Sequence, residues 1–420
     1  MTIEVRSEIG RLRRVLVHRP GREIDWMVPA LMDRLLFDDI LYGEDARWEH
    51  EIFCGVLSAA GVEVLDPEDL LKKVLDDAAV RESVVRHIGS VEPEADLVDE
   101  LEALDAAQLA TALVAGLPAD DVGPGERIRH FYRLAPVPNY FFQRDPQVVL
   151  GDRVLVSSMA TDARAREPYL SSLAFEHHGA LSGWSEMIRL GEQGAGEFVR
   201  RPWVEGGDVL VPAADVLMVG VSERTNRYGV DSLAKHLQRS DSGFRHLVVV
   251  EIPSRRSYMH LDTVFTFIDH GLCLGFVPVV DPDGFEASDV YRVDLGAREI
   301  SYTVCDGLPG ALRGVGIDCE LVPCGGPESL IDQQREQWTD GANAFAVAPG
   351  VILLYRRNRR TCDELDRRGF RVIDGEDVVD GQVPLLGEGP TAVVLPDNEL
   401  SRARGGPRCM TMPLLRDALK

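Results

Sequence analysis

Apolar residues along this chain run in short blocks broken by Gly, Asp and Pro, and one pattern recurs. A strand-like run follows an acidic or Gly-rich start, turns tightly, and is answered by a second apolar run. Asp145 precedes Val148-Val149-Leu150, which turns at Gly151-Asp152 into Val154-Leu155-Val156. Asp208 precedes Val209-Leu210-Val211, with a turn near Ala213-Ala214-Asp215 and a return through Val216-Leu217-Met218-Val219. Asp262 precedes Thr263-Val264-Phe265, which turns at Asp269-His270-Gly271 into Leu272-Cys273-Leu274. Gly341 precedes Ala344-Phe345-Ala346-Val347, with Pro349-Gly350 before Val351-Ile352-Leu353-Leu354. Arg13-Arg14-Val15-Leu16-Val17-His18 reads as a candidate fifth copy. β-Branched and apolar runs bounded by such breakers predict buried hairpins. Helical spacing follows in places, as from Val230 to Leu237. Hairpin-plus-helix units repeating at roughly 50–80 residues predict a radial or stacked α/β assembly. In a ring of such units the strand starts converge on one axis, and acidic residues of different repeats face one another.

One stretch lacks strand-like runs, from Pro67 to Arg133. There Leu70 to Ala79, Val80 to Ile88, Ala95 to Leu104 and Ala106 to Ala115 predict helices. Asp105 with Gln108 makes a variant capping box. Pro118 and Pro124-Gly125 end the segment. This predicts a helical insertion over residues 67–133 in a body made of residues 1–66 and 134–420. No Ser/Gly-rich tether flanks it, which argues for packing on the body.

Charge narrows the function. The chain carries 69 acidic against 45 basic residues, a formal net charge of -24. Such a surface repels nucleic acid and anionic membrane, leaving neither as an expected partner, and attracts small cations. The start Met1-Thr2-Ile3-Glu4-Val5-Arg6 carries charge where a signal peptide needs an apolar core, and no apolar run reaches the roughly 20 residues of a spanning helix. Seven cysteines, an odd count without a CxxC pair, predict reduced thiols in a cytoplasm. Cys319 and Cys324 read as sheet or loop residues rather than metal ligands.

Four motifs carry candidate chemistry. In Gly405-Gly406-Pro407-Arg408-Cys409-Met410, the Gly-Gly-Pro run allows a sharp turn and close approach to a ligand, and Arg404 and Arg408 favour a thiolate at Cys409. The competing reading is a buried structural cysteine. His260-Leu261-Asp262, if on a strand, points a proton carrier and a carboxylate to one face. Alone it fits equally a structural histidine or one arm of a metal site. Glu205-Gly206-Gly207-Asp208 puts two glycines between carboxylates, which alone is a polar turn. Asn139-Tyr140-Phe141-Phe142-Gln143-Arg144-Asp145-Pro146 sets Asp145 at a strand mouth. Together they supply a thiol, a histidine and three carboxylates. A planar cation with five donors is held best by carboxylates in fork geometry, and a guanidinium is such a group. Its carbon is a poor electrophile, so pinning it in front of a thiolate is what catalysis requires. The order His260 before Cys409 is unlike papain, and no caspase signature is present. No third clustered nitrogen or sulfur ligand supports a zinc hydrolase, and no GxGxxG or P-loop supports a nucleotide cofactor.

At these residues the sequence resembles the bacterial arginine deiminases of the guanidino-group-modifying, or pentein, superfamily. The likeness runs over nearly the whole chain. It begins at Phe37-Asp38-Asp39-Ile40-Leu41 and Glu49-His50-Glu51, and passes through Pro138-Asn139 to Asp145-Pro146 and Met159 with Arg164-Ala165-Arg166-Glu167. It continues through Glu205-Gly206-Gly207-Asp208, Ser222-Glu223-Arg224-Thr225 and Met259 to Thr266. It then takes in Glu336-Gln337-Trp338 with Asp340-Gly341-Ala342-Asn343, and Arg404 to Pro413. The resemblance implies a five-bladed α/β propeller of ββαβ repeats with an inserted helical domain. It implies hydrolysis of free L-arginine to citrulline and ammonia without metal or organic cofactor. Cys409 would attack the guanidinium carbon to form an S-alkylthiouronium, and His260 would protonate the departing ammonia and then activate water. Asp145 and Asp262 would clamp the guanidinium, and Glu205 would support it and His260. Asn139, Arg164 and Arg224 would take the α-carboxylate, Arg404 would close the site, and Phe142 would wall the aliphatic stem. A homo-oligomer, dimer or tetramer, is implied as well.

Two positions depart from the family's pattern. Ala403 stands where the family usually has Gly; if that position needs φ > 0, alanine costs about 1 kcal/mol or more. Asp162 adds a carboxylate close to Arg164. Two other readings stand beside the hydrolase: an amidinotransferase with the same Cys-His logic, releasing ornithine, and a non-catalytic binding protein on the same fold. The full Gly405-to-Pro413 run favours the deiminases over the former, and the intact Cys409, His260, Asp145, Asp262 and Glu205 oppose the latter.

Overall fold

The computed structural model describes residues 2–92, 94, 96–119, 131–191 and 201–419. The fold is mixed α/β. Among the described residues there are five sheets of three or more strands and one two-stranded pair. The five larger sheets share one plan: an antiparallel hairpin, a helix, and a third strand returning parallel beside the hairpin's second strand. Gln147–Leu150 and Arg153–Val156 are followed by the helix Arg166–His177 and the parallel Glu186–Arg189. Val209–Ala213 and Val216–Val221 are followed by Arg227–Arg239 and His246–Glu251. Phe265–Asp269 and Leu272–Gly275 pair with Glu320–Pro323, and Phe345–Ala348 and Val351–Tyr355 with Thr391–Leu395. The side chains of the inner strands are buried nearly throughout, as expected of sheets covered on both faces. The hairpin turns fall where the breakers predict them. Gly151 and Gly350 take φ of 62° and 70°, which a Cβ would penalise.

The fifth sheet joins the two ends of the chain. Met412–Arg416 lies antiparallel to Leu12–Leu16, and Glu63–Leu65 returns parallel after the helix Gly43–Ala59. The Arg13–His18 run is therefore the second strand of a unit whose first strand comes from the other end of the sequence.

Other expectations change. The run after Asp262 is not strand from Thr263. Leu261–Thr263 is a turn of 3-10 helix and the strand begins at Phe265. Thr263 N and Oγ1 both donate to His260 O, at 3.1 and 2.6 Å, and wind this segment. His260 and Asp262 thus do not share a strand face. In the helical segment the helices are Pro67–Val74, Ala78–Val91, Leu97–Glu102 and Ala106–Ala115. The predicted Leu70–Ala79 helix is broken because Asp77 turns its carboxylate onto Ala79 N at 2.8 Å and starts a new helix. The Asp105–Gln108 capping box forms in both directions, at 2.8 and 3.0 Å. Pro118 ends its segment in the short pair Leu117–Pro118 with Tyr132–Leu134, while Pro124-Gly125 and Ala95 lie outside the described residues. Leu71, Leu109 and Leu113 pack with Val137, Tyr140 and Leu170 of the body in one apolar cluster.

Cysteine chemistry also departs from the expectation of reduced thiols throughout. Cys273, on the strand Leu272–Gly275, and Cys319, just before the neighbouring strand Glu320–Pro323, are joined as a disulfide, Cα–Cα 6.2 Å, 46 residues apart in sequence. Spacing along the chain does not report that proximity. Cys324 is buried beside Thr361 Oγ1, at 3.7 Å. No described helix is long and apolar enough to cross a membrane.

Candidate active site

The repeated plan positions the chemistry. Asp145 precedes the first strand of one hairpin, Glu205 that of the next, His260 and Asp262 that of the third, and Cys409 that of the unit made by the chain ends. All five are buried. His260 Nε2 lies 2.9 Å from Glu205 Oε2, and its Nδ1 lies 3.8 Å from Asp145 Oδ1. Cys409 Sγ is 3.9 Å from Asp262 Oδ2. Gly207 lets the imidazole pack against the chain, since a Cβ there would meet His260 Cγ at 2.6 Å.

Asp145 and Asp262 are each half-occupied by an internal arginine. Arg164 donates from Nη1 to Asp145 Oδ2 at 2.8 Å, and Arg408 donates from Nη1 to Asp262 Oδ2 at 2.7 Å. The other oxygens, Asp145 Oδ1 and Asp262 Oδ1, are buried and make no hydrogen bond with the described residues. Buried acceptors left open in this way are costly in isolation and suit a ligand that donates to both. Arg164 is itself held by a fork to Glu167, Nε to Oε1 at 2.9 Å and Nη2 to Oε2 at 2.7 Å. In the same hollow, Arg224 Nη1 and Arg404 Nε and Nη1 are buried donors that make no hydrogen bond with the described residues. Arg224 Nη1 is 3.9 Å from Glu205 Oε2. Asn139 lines the same hollow but spends its Nδ2 on Leu35 O, at 2.9 Å. The Phe142 ring packs where a side chain at Gly405 would sit. Arg404 holds its guanidinium carbon 3.4 Å from the centroid of Trp338, with Nη2 donating to Ser257 O at 3.4 Å. Ala403 closes a short 3-10 helix, and the left-handed residue is Arg404 itself, φ 64°. The expected strain at Ala403 is therefore absent. Asp162 lies away from the clamp, its carboxylate 3.3 Å from Arg201 Nη1.

The charges set the protonation states. Burial alone would lower the His260 pKa, but Asp145, Glu205 and Asp208 raise it to about 9. Burial pushes Glu205 up, yet the bond to His260 and the charges of His260, Arg224 and Arg164 bring it down to about 2. Burial and then the charges of Asp262, Asp145 and Asp340 push the Cys409 thiol well above its ordinary range. The free site therefore holds an imidazolium–carboxylate pair and a neutral thiol. A cation placed between Asp145 and Asp262 cancels the charge that keeps the proton on sulfur.

Asp145, Glu205 and His260 offer ligand atoms all within 4.8 Å of one another, enough to meet a divalent cation. The positive charge there is already supplied by Arg164 and the imidazolium. The hollow at Cys409 has only about 20 Å³ of free space, near one water's worth, so a ligand must open it. A roomier hollow of about 610 Å³, lined by Arg34, His87, Glu92 and Arg166, lies away from the thiol.

The family model "Arginine deiminase" matches residues 33–416. The chain belongs to the arginine deiminase family. Arginine deiminase of Latilactobacillus sakei subsp. sakei is 34% identical over 438 residues, covering 100% of this chain and 99% of the relative. That of Clostridium perfringens is 34% identical over 451 residues, covering 99% and 98%. Among solved structures, the amidinotransferase SxtG from Microseira wollei superposes with a TM-score of 0.55 at 16% identity over 99% and 98% of the two chains. The N-terminal domain of ArgZ, a cyanobacterial arginine dihydrolase bound to product, superposes at 0.51 with 15% identity over 97% and 99%. These likenesses show an amidinotransferase- and pentein-type fold.

Side chains that sequence reasoning left without a role also bear on this arginine deiminase family site. Glu167 orients Arg164. Asp208 accepts from Leu261 N at 2.8 Å and from Ser222 Oγ at 2.6 Å, tying the His260 turn to the loop that carries Arg224. Glu8 backs Arg408 at 3.2 Å from a distant part of the sequence. Nothing in the residues around Glu8 signals this. Asn343 had a signal, since it occupies in the fourth hairpin unit the place that Asp145, Glu205, Asp262 and Cys409 occupy in the others.

Proposed function

We propose that the protein is an arginine deiminase that hydrolyses free L-arginine to L-citrulline and ammonia. One observation carries the reading most directly. The hollow beside the buried thiol is lined by Asp145, with an open acceptor, and by Arg224 and Arg404, with open donors. That pattern complements a molecule with a guanidinium at one end and a carboxylate at the other. The guanidinium donates to Asp145 Oδ1 and Asp262 Oδ1; the α-carboxylate accepts from Arg224 and Arg404, with Asn139 beside them. Arg164, whose three nitrogens bond Asp145 and Glu167, orders the guanidinium clamp instead of taking the carboxylate the resemblance assigns to it. Phe142 covers the methylene stem.

Binding the cation lets Cys409 release its thiol proton to solvent. The thiolate attacks the guanidinium carbon, and a C–N bond breaks as His260 gives its proton to the departing nitrogen, which leaves as ammonia. The remaining S-alkylthiouronium is attacked by water, whose proton passes to His260. The C–S bond then breaks as the second proton of that water passes to the departing sulfur, returning the neutral thiol and leaving the ureido group of citrulline. Glu205 keeps the imidazole oriented and charged.

The five sheets are, in this reading, blades of an α/β propeller closed by the pairing of Met412–Arg416 with Leu12–Leu16. Residues 67–133 form an inserted helical domain, and residues 1–66 and 134–420 the catalytic body. The enzyme is a homo-oligomer, dimer or tetramer, on the strength of the family resemblance, and sedimentation tests that part. The activity is tested by incubating the protein with L-arginine and following citrulline and ammonia together. Equal release of both is the expected result, and ornithine without free ammonia overturns it.

A further inference from the structure

Asn343 is buried completely and sits just before the strand Phe345–Ala348, at the start of the fourth hairpin unit. The corresponding places in the other four units hold Asp145, Glu205, His260 with Asp262, and Cys409. Its side chain spans two of them. Asn343 Oδ1 accepts from the backbone N of Cys409 at 3.1 Å, and Nδ2 donates to the backbone O of Asp262 at 3.0 Å. The amide orientation is fixed by its partners, because a backbone N–H can only donate and a carbonyl can only accept. The backbone adds a further tie, Asn343 O accepting from Arg408 N at 3.4 Å. Gly406 is required by the same approach: a Cβ there would meet Asn343 Oδ1 at 2.7 Å and Cβ at 2.9 Å. Asn343 is in turn set by the left-handed Asp340, φ 61°, whose carbonyl accepts from Asn343 N at 3.0 Å.

We infer that Asn343 is a positioning residue that holds the nucleophile and one jaw of the guanidinium clamp at a fixed separation. This rests on the assignment of Cys409 as nucleophile and Asp262 as clamp. The two residues come from different sheets and meet only through side chains, Cys409 Sγ to Asp262 Oδ2 at 3.9 Å. The carboxamide is the one side-chain group that bonds the main chains of both directly among the described residues. Attack requires sulfur to lie in line with a carbon whose nitrogens Asp262 holds, so a drift of one main chain against the other is felt in the chemical step rather than in binding.

The test compares Asn343→Ala and Asn343→Asp in the full-length protein. Asp keeps an acceptor for Cys409 N and loses the donor to Asp262 O; Ala loses both. With L-arginine, kcat should fall about 10²-fold or more in the Ala variant, with KM changed less than about threefold. Alkylation of Cys409 by 2-chloroacetamidine, a reagent that needs both the clamp and the thiol, should slow in parallel, read by mass spectrometry. The Asp variant, nearly the same size and shape, should show the same split if Ala fails to fold, with circular dichroism reporting the fold. A folded Ala variant, or a folded Asp variant in its place, with kcat and alkylation within about threefold of the parent overturns the positioning role. Cys409→Ser separates the two levels. If it retains turnover, the nucleophile assignment falls and this proposal with it; if it is dead while a folded Asn343 variant stays active, only the role of Asn343 falls.

Discussion

Arg164 places Nη1 2.8 Å from Asp145 Oδ2 while its Nε and Nη2 form a fork with Glu167. One guanidinium thus orders two buried carboxylates and leaves Asp145 Oδ1 open. Lysine cannot do this, because a single ammonium has no planar fork. Arg164→Lys is expected to raise KM for arginine about 10-fold or more and to cost about 3 kcal/mol in urea unfolding, the scale on which a buried ion pair loses one partner. An unchanged KM would remove Arg164 from substrate recognition.

The thiol and the imidazole carry different steps, so their removal differs in kind. Cys409→Ala should abolish citrulline formation with the fold intact by circular dichroism. His260→Ala should reduce kcat by about 10²- to 10⁴-fold, the range for a lost general acid–base. Mass spectrometry after rapid quenching should find a Cys409 adduct in the parent and none in Cys409→Ala. Appreciable turnover in Cys409→Ala would mean the nucleophile lies elsewhere.

His260 is held protonated up to about 9 by Asp145, Glu205 and Asp208 against the opposing effect of burial. Its folded pKa is above the ordinary value, so its share of stability is complete below about 6.5 and is lost as pH rises through about 9. Glu205 runs the other way: its pKa, brought down to about 2, gives stability that is present above the ordinary carboxylate range and lost as pH falls toward 2. Activity should follow a bell in pH whose alkaline limb reflects loss of the imidazolium. In Glu205→Gln that limb should move to lower pH, because a partner that raises His260 loses its charge. A profile flat between pH 6 and 10, or an unmoved limb in Glu205→Gln, would take His260 out of proton transfer.

Most of the hairpins are legible because they obey a local rule, apolar runs and then Gly at a left-handed turn such as Gly151, Gly271 or Gly350, whereas the second turns through Ala214-Asp215 without one. What the pattern could not give was the partner of Leu12–Leu16, since pairing with Met412–Arg416 is a contact between the chain ends with no local signal. The same limit hid the Cys273–Cys319 bond and the support of Arg408 by Glu8. The spacing of His260 and Asp262 suggests a shared strand face that the fold does not make. What gathers them is a 3-10 turn pinned by Asp208. Asn343 stands at the same place in its repeat, but an amide carries no charge or nucleophile to mark it in a sequence. The helix break at Asp77 has no mark in the apolar spacing, which continues across it while the carboxylate caps the next helix.

The last prediction separates strain from recognition at the mouth of the site. Arg404 is left-handed, φ 64° and ψ 54°, a conformation that costs a side-chain-bearing residue about 1 kcal/mol relative to glycine. Its guanidinium stacks on Trp338, a contact worth about 0.5–2 kcal/mol. Arg404→Ala loses the stack and keeps the strain, whereas Arg404→Gly loses the stack and relieves the strain. The Gly variant should therefore be more stable than the Ala variant by about 1 kcal/mol, measured by urea unfolding. Both should show a similar rise in KM, of about 10-fold or more, because both lose the open donors Nε and Nη1 of a residue that lines the hollow. Trp338 is half-exposed, and in the parent its fluorescence should change as arginine draws Arg404 off the ring. Equal stability of the Gly and Ala variants would show that the backbone at Arg404 relaxes when the side chain is gone, and an unchanged KM would leave Arg224 to hold the carboxylate alone.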